Sequence, residues 1–320
     1  MLECLLINKI KLMYIIYIYL IKIIVSLYIM NIKIIYRIKN LRTYNYYLKN
    51  AILIGKEHNT IKMKPNYGGF FFCCSLKLYN IINFINFKLH IPNNVDSSDY
   101  FNQYKYNNTE DITYDYFEHY DNMKNIDIIY SIKYDLNNEL NDYSKLDFIH
   151  ICPLIQKYFS PSNNIKKIID NIEKKYKLDF NNILAVYYRG TDKLNETKLA
   201  SFEEFYNKIL EIINIDKNIN ILIQTDTAQF MDYINDKNLK NTIVIKENIM
   251  SYSNNGIHNE KSTKENYYDM LNLLSTFIII SKCKYILCSS GNCSLWIMFY
   301  RNNNKNVLQY LNGIWYNTIF

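Results

Sequence analysis

"NILAVYYRGTDK", residues 182–193, decides the fold of this chain. Its first part, "NILAVYY" (182–188), is a short run of bulky apolar residues that ends at a charged loop. Such a run reads as a strand covered on both faces. The loop is unusual for this composition. Arg37, Arg42, Arg189 and Arg301 are the only arginines, and there are seven glycines. An Arg-Gly pair directly after a buried strand therefore carries more information than another Lys or Asn would.

Working outward, strands and helices alternate. "SFEEFYNKILEII" (201–213) opens with a capping box, Ser201 to Glu204. It repeats Phe202, Phe205, Tyr206, Ile209, Leu210 and Ile213 at helical spacing. "INILIQ" (219–224) is a second strand, Thr225 to Asp236 a helix, and "TIVIK" (242–246) a third strand. Glu265 to Ser281 is a helix apolar nearly all round, hence buried. "KYILCS" (284–289), "CSLWIMFYR" (293–301) and "VLQY" (307–310) complete the series as strand, helix and strand. This order implies a parallel, Rossmann-like sheet. No Gly-x-Gly-x-x-Gly follows the first strand and no Walker-type loop is present, which removes the main support for a dinucleotide or P-loop site. Upstream the pattern is looser. "GGFFFCCSLKLYNIINFINFKLH" (68–90) is a loop entering a long apolar helix, "IDIIYSI" (126–132) a strand, and "SPSNNIKKIIDNIEKKY" (160–176) a helix after a Pro turn.

The chain is 49% hydrophobic and 21% charged, a globular balance, and its usage is skewed toward residues with AT-rich codons. The formal charge of +7 is spread over lysines interleaved with Asp and Glu. That is no nucleic-acid stripe, but it suits an anionic small ligand. Seven cysteines without Cys-x-x-Cys, and five scattered histidines, give neither a disulfide framework nor a structural zinc site. A reducing compartment is expected, or membrane association through Leu12 to Met30. In that stretch the aliphatic residues narrowly outweigh the central Lys22. The reading divides the chain into an N-terminal extension with a membrane anchor at 12–30 (1–62), an acceptor-side domain (63–180) and a donor-binding domain (181–320).

Ligands of a parallel sheet bind outside the carboxyl ends of its strands, at the switch point. The residues that follow the strands are therefore the site candidates. They are Arg189, Gly190, Thr191, Asp192 and Lys193 after the first, Thr225 and Asp226 after the second, and Ser289, Ser290, Gly291, Asn292 and Ser294 after the fourth. A guanidinium matches phosphate oxygens bidentately. Gly190 permits close backbone approach. "SSGN" before a helix aims amides and hydroxyls at a phosphate. Asp192 or Asp226 can accept from a base edge or ribose hydroxyls.

These residues resemble a family. "VYYRGTDK" (186–193) is similar to the H-x-R-G-T-D-K-type motif of the GT-B-like fucosyltransferase superfamily, which includes core alpha-1,6-, nodulation and protein O-fucosyltransferases. "SKCKYILCSSGNCSLWIMFYR" (281–301) resembles its last donor-site motif, and the likeness spans residues 160–310. The resemblance implies a GT-B-like α/β fold with two Rossmann-like domains. It implies that Arg189 binds the donor diphosphate, with Asp192, Ser289, Ser290 and Asn292 in the donor site. Where the family has His, two residues before the Arg, this chain has Tyr187, whose hydroxyl can donate a hydrogen bond but cannot act as an imidazole.

No Asp-x-Asp occurs in the chain. The expectation is therefore a metal-independent inverting transfer of fucose or another sugar from a GDP-sugar to a glycan or protein hydroxyl, with no cofactor. Arg189 would neutralise the leaving group. The candidates for the base are His258, in "NNGIHNE", Glu247 and His150. A non-catalytic nucleotide-sugar or glycan-binding relative, or an unrelated Rossmann-like nucleotide binder, would present the same strand ends.

Overall fold

The computed structural model describes residues 48–319, except 56–57, 107–110, 112, 123–130 and 254–260, together with Tyr17, Leu20, Ile21, Lys22 and Ile24. The chain divides into Met1–Lys49 and Asn50–Phe320, and all that follows concerns the second unit. The expected anchor, Leu12 to Met30, lies outside the described residues apart from those five helical positions, as does most of the strand expected at 126–132.

The second unit begins with a hairpin. β1 (Ala51–Ile54) pairs antiparallel with β2 (Thr60–Met63), inside the stretch expected to be an extension. The predicted apolar helix follows as α1 (Phe70–Lys88), entered through Gly68 and Gly69. It is buried on nearly every side. It is the one helix among the described residues long and apolar enough to cross a membrane, and most of it lies inside this fold. β3 (Asn94–Asp96) joins β2 in parallel and completes a three-stranded sheet. Next come a single turn α2 (Thr113–Tyr116), then α3 (Phe148–Tyr158) and α4 (Asn163–Tyr176). Ser162 caps α4, its side chain accepting from the Ile165 amide.

The second sheet is the expected one. β4 (Ile183–Tyr188), α5 (Phe202–Ile215), β5 (Asn220–Thr225), α6 (Ala228–Asp236), β6 (Thr242–Val244), α7 (Thr263–Lys282), β7 (Tyr285–Ser289), α8 (Asn292–Arg301) and β8 (Val307–Leu311) succeed one another. β9 (Ile314–Asn317) then turns back antiparallel on β8. The strand order is β6-β5-β4-β7-β8-β9, and every pair but the last is parallel. β4 is wholly buried because it has a strand on each edge and helices on each face.

Adjacent β4 residues point to opposite faces, as the pleat requires. Tyr188 stacks on Phe230 of α6, centroids 4.4 Å apart. Phe205, Ile209 and Ile212 of α5 fill the same layer. Tyr187 meets Phe277 of α7 edge-on at 5.0 Å. Phe71 of α1 packs on that same Phe277, also at 5.0 Å. Trp296 of α8 lies at the centre of this second layer, 4.7 Å from Phe159 and fully buried. Aromatic burial of this kind is worth several kcal/mol per ring.

The strand order also fixes the site. From β4 the chain runs outward through β5 to β6, then returns to the other side of β4 for β7 and β8. The order reverses at β4, so the switch point lies at its carboxyl end, where Arg189 begins.

Candidate functional site

A cavity of about 440 Å³ opens at that carboxyl edge. Tyr187, Arg189, Thr191, Asp192, Lys193, Asp226 and Asn292 line it. The loop after β4 and the start of α8 thus meet as expected. The Arg189 amide donates to Ser289 Oγ over 3.4 Å, and its Nη1 lies 3.4 Å from Cys293 Sγ. Nη2 bonds Asp192 Oδ1 at 2.8 Å, with Asp226 Oδ2 3.8 Å from Nη1.

Two glycines make this packing possible. A Cβ on Gly190 would sit 2.5 Å from Thr227 Oγ1 and 2.8 Å from Tyr188 Cε1. Gly291, which precedes α8, has φ 156° and ψ 172°. A Cβ there would lie 3.3 Å from Lys193 Cε. The Lys193 stem therefore crosses the backbone at the start of α8. Lys193 is almost fully buried and ion-paired with Glu196. No side chain caps the first turn of α8, which meets the cavity at Asn292 and Cys293.

Several expected ligand groups are engaged within the protein. Asp226 Oδ1 accepts from the Gly190 amide and Thr227 Oγ1, and Oδ2 accepts from Thr191 Oγ1, each at 2.9 Å. This carboxylate ties the Arg189 loop to β5 and also lines the cavity. Thr225 Oγ1 accepts from the Thr227 amide at 3.0 Å and shapes that turn. Ser290 Oγ accepts from Gln309 Nε2 at 2.7 Å, and Ser294 Oγ donates to the Ser289 carbonyl. Thr225, Ser289, Ser290 and Ser294 are buried and do not line the cavity. They correct the expectation of a hydroxyl cluster facing a ligand. Here the hydroxyls build the loop geometry, and Arg189 and Lys193 line the space. Tyr187 does line it, with burial holding its phenol far above the ordinary range and so neutral.

Of the expected bases, His258 lies outside the described residues. Glu247 is held by Lys175 and by Tyr176 Oη at 2.8 Å, and His150 by Asp147 at 2.6 Å. Neither reaches the cavity.

A residue that sequence reading missed does reach it. Glu139 lies on a short 3₁₀ turn, Leu136–Leu140, and lines the cavity. The segment is pinned by Gln309, whose Oε1 accepts from the Tyr143 amide at 2.9 Å while its Nε2 donates to the Asn141 carbonyl at 2.7 Å. Tyr143 Oη also accepts from the Gly291 amide at 3.1 Å. Asn292 is oriented by Ser75 of α1, whose Oγ donates to Asn292 Oδ1 at 2.7 Å and accepts from Trp296 Nε1 at 2.9 Å. Asn292 and Glu139 line the same cavity. Glu139 Oε2 is sealed from solvent with no hydrogen-bond partner. Burial pushes the carboxyl up to about 7, against the opposing pull of Lys193. Nothing in "KYDLNNELNDYS" (133–144) separates Glu139 from the polar linker residues around it.

No family model and no curated protein matches the chain. The chain is similar to solved structures of a fucosyltransferase, the kind of enzyme its motifs resemble. One is NodZ alpha-1,6-fucosyltransferase co-crystallised with GDP, at 12% identity and a TM-score of 0.36 over 52% of each chain. The same enzyme soaked with GDP-fucose gives the same values. Fucosyltransferase NodZ from Bradyrhizobium matches at 13% identity and a TM-score of 0.34, over 49% of this chain and 47% of that one. The chain spans about half the length of the structures it matches.

Proposed function

We propose that this chain is a glycosyltransferase that passes a sugar from a nucleoside-diphosphate donor to a hydroxyl of a glycan or protein. The observation that carries the reading is the convergence of three positive ends on one cavity wall. The Arg189 guanidinium, the Lys193 ammonium and the amino end of α8 meet at the switch point of a parallel sheet. A diphosphate, an anion with several oxygens, has the form to engage all three together. Asp192 engages only part of the Arg189 donor fork. A volume of about 440 Å³ suits a nucleotide sugar's reacting half with part of its nucleoside. Ile249, Met270 and Leu273 offer flat apolar surface beside the amides of Gln224 and Asn248, a mixture that suits a base.

The assignment of GDP and of fucose rests on the sequence resemblance at Arg189 to Lys193. In this reading the donor lies against residues 181–320, and residues 63–180 supply the acceptor side. The acceptor hydroxyl attacks C1 with inversion while the nucleoside diphosphate leaves, its charge taken up by Arg189, Lys193 and the α8 amides. A metal-free route is part of the proposal. It is supported by the lack of Asp-x-Asp.

Isothermal titration with GDP and GDP-fucose, with UDP as control, tests the reading. GDP release from GDP-fucose in the presence and absence of EDTA tests the chemistry. GDP binding in the micromolar range and turnover indifferent to EDTA are expected. Failure of both GDP and GDP-fucose to bind below 1 mM would sink the proposal.

A further inference from the structure

We propose that Glu139 is the general base that takes the proton of the attacking hydroxyl. The assignment rests on the nucleotide-sugar reading and adds to it the one group that reading leaves unnamed. Three observations converge on this carboxylate. It lines the same cavity as Arg189 and Lys193, so it shares a space with the place where a diphosphate would leave. Its segment is held in place, because residues 136–145 are tied to Gln309 and to the start of α8. One of its oxygens is buried with no donor of its own, so the group retains strong proton affinity.

The charged and titratable groups facing it are Lys193, Arg189 and Glu196 from the loop after β4, and Tyr134 and Tyr143 from its own segment. Both cations lower its proton affinity, yet burial outweighs them and leaves it titrating at about 7, where a base functions near neutral pH. Glu196 is the weaker candidate on the same wall, since its side chain is 52% exposed and already paired with Lys193.

In the reaction the hydroxyl oxygen forms its bond to C1 as its proton passes to the Glu139 carboxylate. The bond from C1 to the β-phosphate oxygen breaks, and its electron pair leaves on the nucleoside diphosphate. Glu139 then returns the proton to solvent.

The test uses the whole chain with water as acceptor, following GDP release from GDP-fucose across pH 5–9 beside GDP titration. For wild type, kcat/KM rises through an inflection near 7 to a plateau. Glu139→Gln loses about 10²–10⁴-fold in kcat and loses the inflection, with GDP affinity changed less than about threefold. Glu196→Gln keeps the inflection. Glu139→Asp, which retains a carboxyl but shortens its reach, is slower than wild type and keeps an inflection; it serves if the Gln variant does not fold. An inflection that survives in Glu139→Gln, or a kcat within threefold of wild type, overturns the assignment and leaves the nucleotide-sugar reading standing. If wild type neither binds GDP nor cleaves GDP-fucose, that reading fails and the assignment falls with it.

Discussion

Arg189 and Cys293 stand 104 residues apart in the chain and 3.4 Å apart in space, guanidinium Nη1 to thiol Sγ. The contact sets the loop after β4 against the first turn of α8, which brings two modest sequence signals onto one cavity wall. Arg189→Ala removes the only guanidinium lining the cavity among the described residues. It is expected to weaken GDP binding at least tenfold and to slow GDP-fucose cleavage about 10²–10³-fold. Arg189→Lys keeps the charge but not the planar fork, and is expected to recover less than a tenth of the lost rate. Titration and turnover on the two variants check this. Unaltered GDP affinity in Arg189→Ala would remove Arg189 from the site.

Gly190 is required by its neighbours. A Cβ would press on Thr227 Oγ1 and on the Tyr188 ring, and Tyr188 is itself locked against Phe230. Gly190→Ala should cost about 1–3 kcal/mol by overpacking and displace the Arg189 amide from Ser289. The double variant Gly190→Ala/Thr227→Ala removes one of the two clashes. Denaturant unfolding should show it more stable than the sum of the single changes. Strict additivity would mean that the Thr227 contact is not the constraint.

What could be read from the sequence followed from burial. "NILAVYY" and "KYILCS" are strands because neighbours cover both faces, and an unbroken apolar run is the only pattern that survives there. β1 and β2 escaped because "AILI" and "TIKM" are short and carry mixed exposure. β9 was announced by Asn312-Gly313, both at positive φ as a two-residue hairpin turn requires, and the signal was passed over. The placement of Arg189 and Lys193 on the cavity was legible because Arg is rare in this chain. The hydroxyl side was misjudged. A serine after a strand can face a ligand or bond its own loop, and only Gln309, distant in sequence, decides between the two at Ser290. Glu139 carries no local mark at all. Its character comes from burial by segments far from it.

Ser290→Ala separates those two roles for the hydroxyl. It deletes the acceptor for Gln309 Nε2, which keeps the Asn141 carbonyl as its second partner. The expected result is a loss of about 0.5–1.5 kcal/mol in unfolding free energy with GDP affinity within twofold of wild type. A tenfold loss of GDP affinity at unchanged stability would return Ser290 to the ligand-facing set.

Glu139 also makes stability depend on pH in a direction opposite to that of most carboxylates. Its titration in the folded chain is raised from an ordinary 4.5 to about 7. The folded state therefore binds the proton more tightly than the unfolded one does. The stabilising contribution of this group is full below 4.5 and is lost as pH rises through 7. At pH 8 the ionised, half-sealed carboxylate carries a cost of about 1–3 kcal/mol that a neutral amide of the same shape does not carry. Glu139→Gln should match wild type in thermal stability at pH 4 and exceed it by several degrees at pH 8. A melting series across that range decides the matter. Equal Tm values at both ends would mean that Glu139 titrates as a solvated carboxylate, and the cavity wall would then lack its proton-binding group.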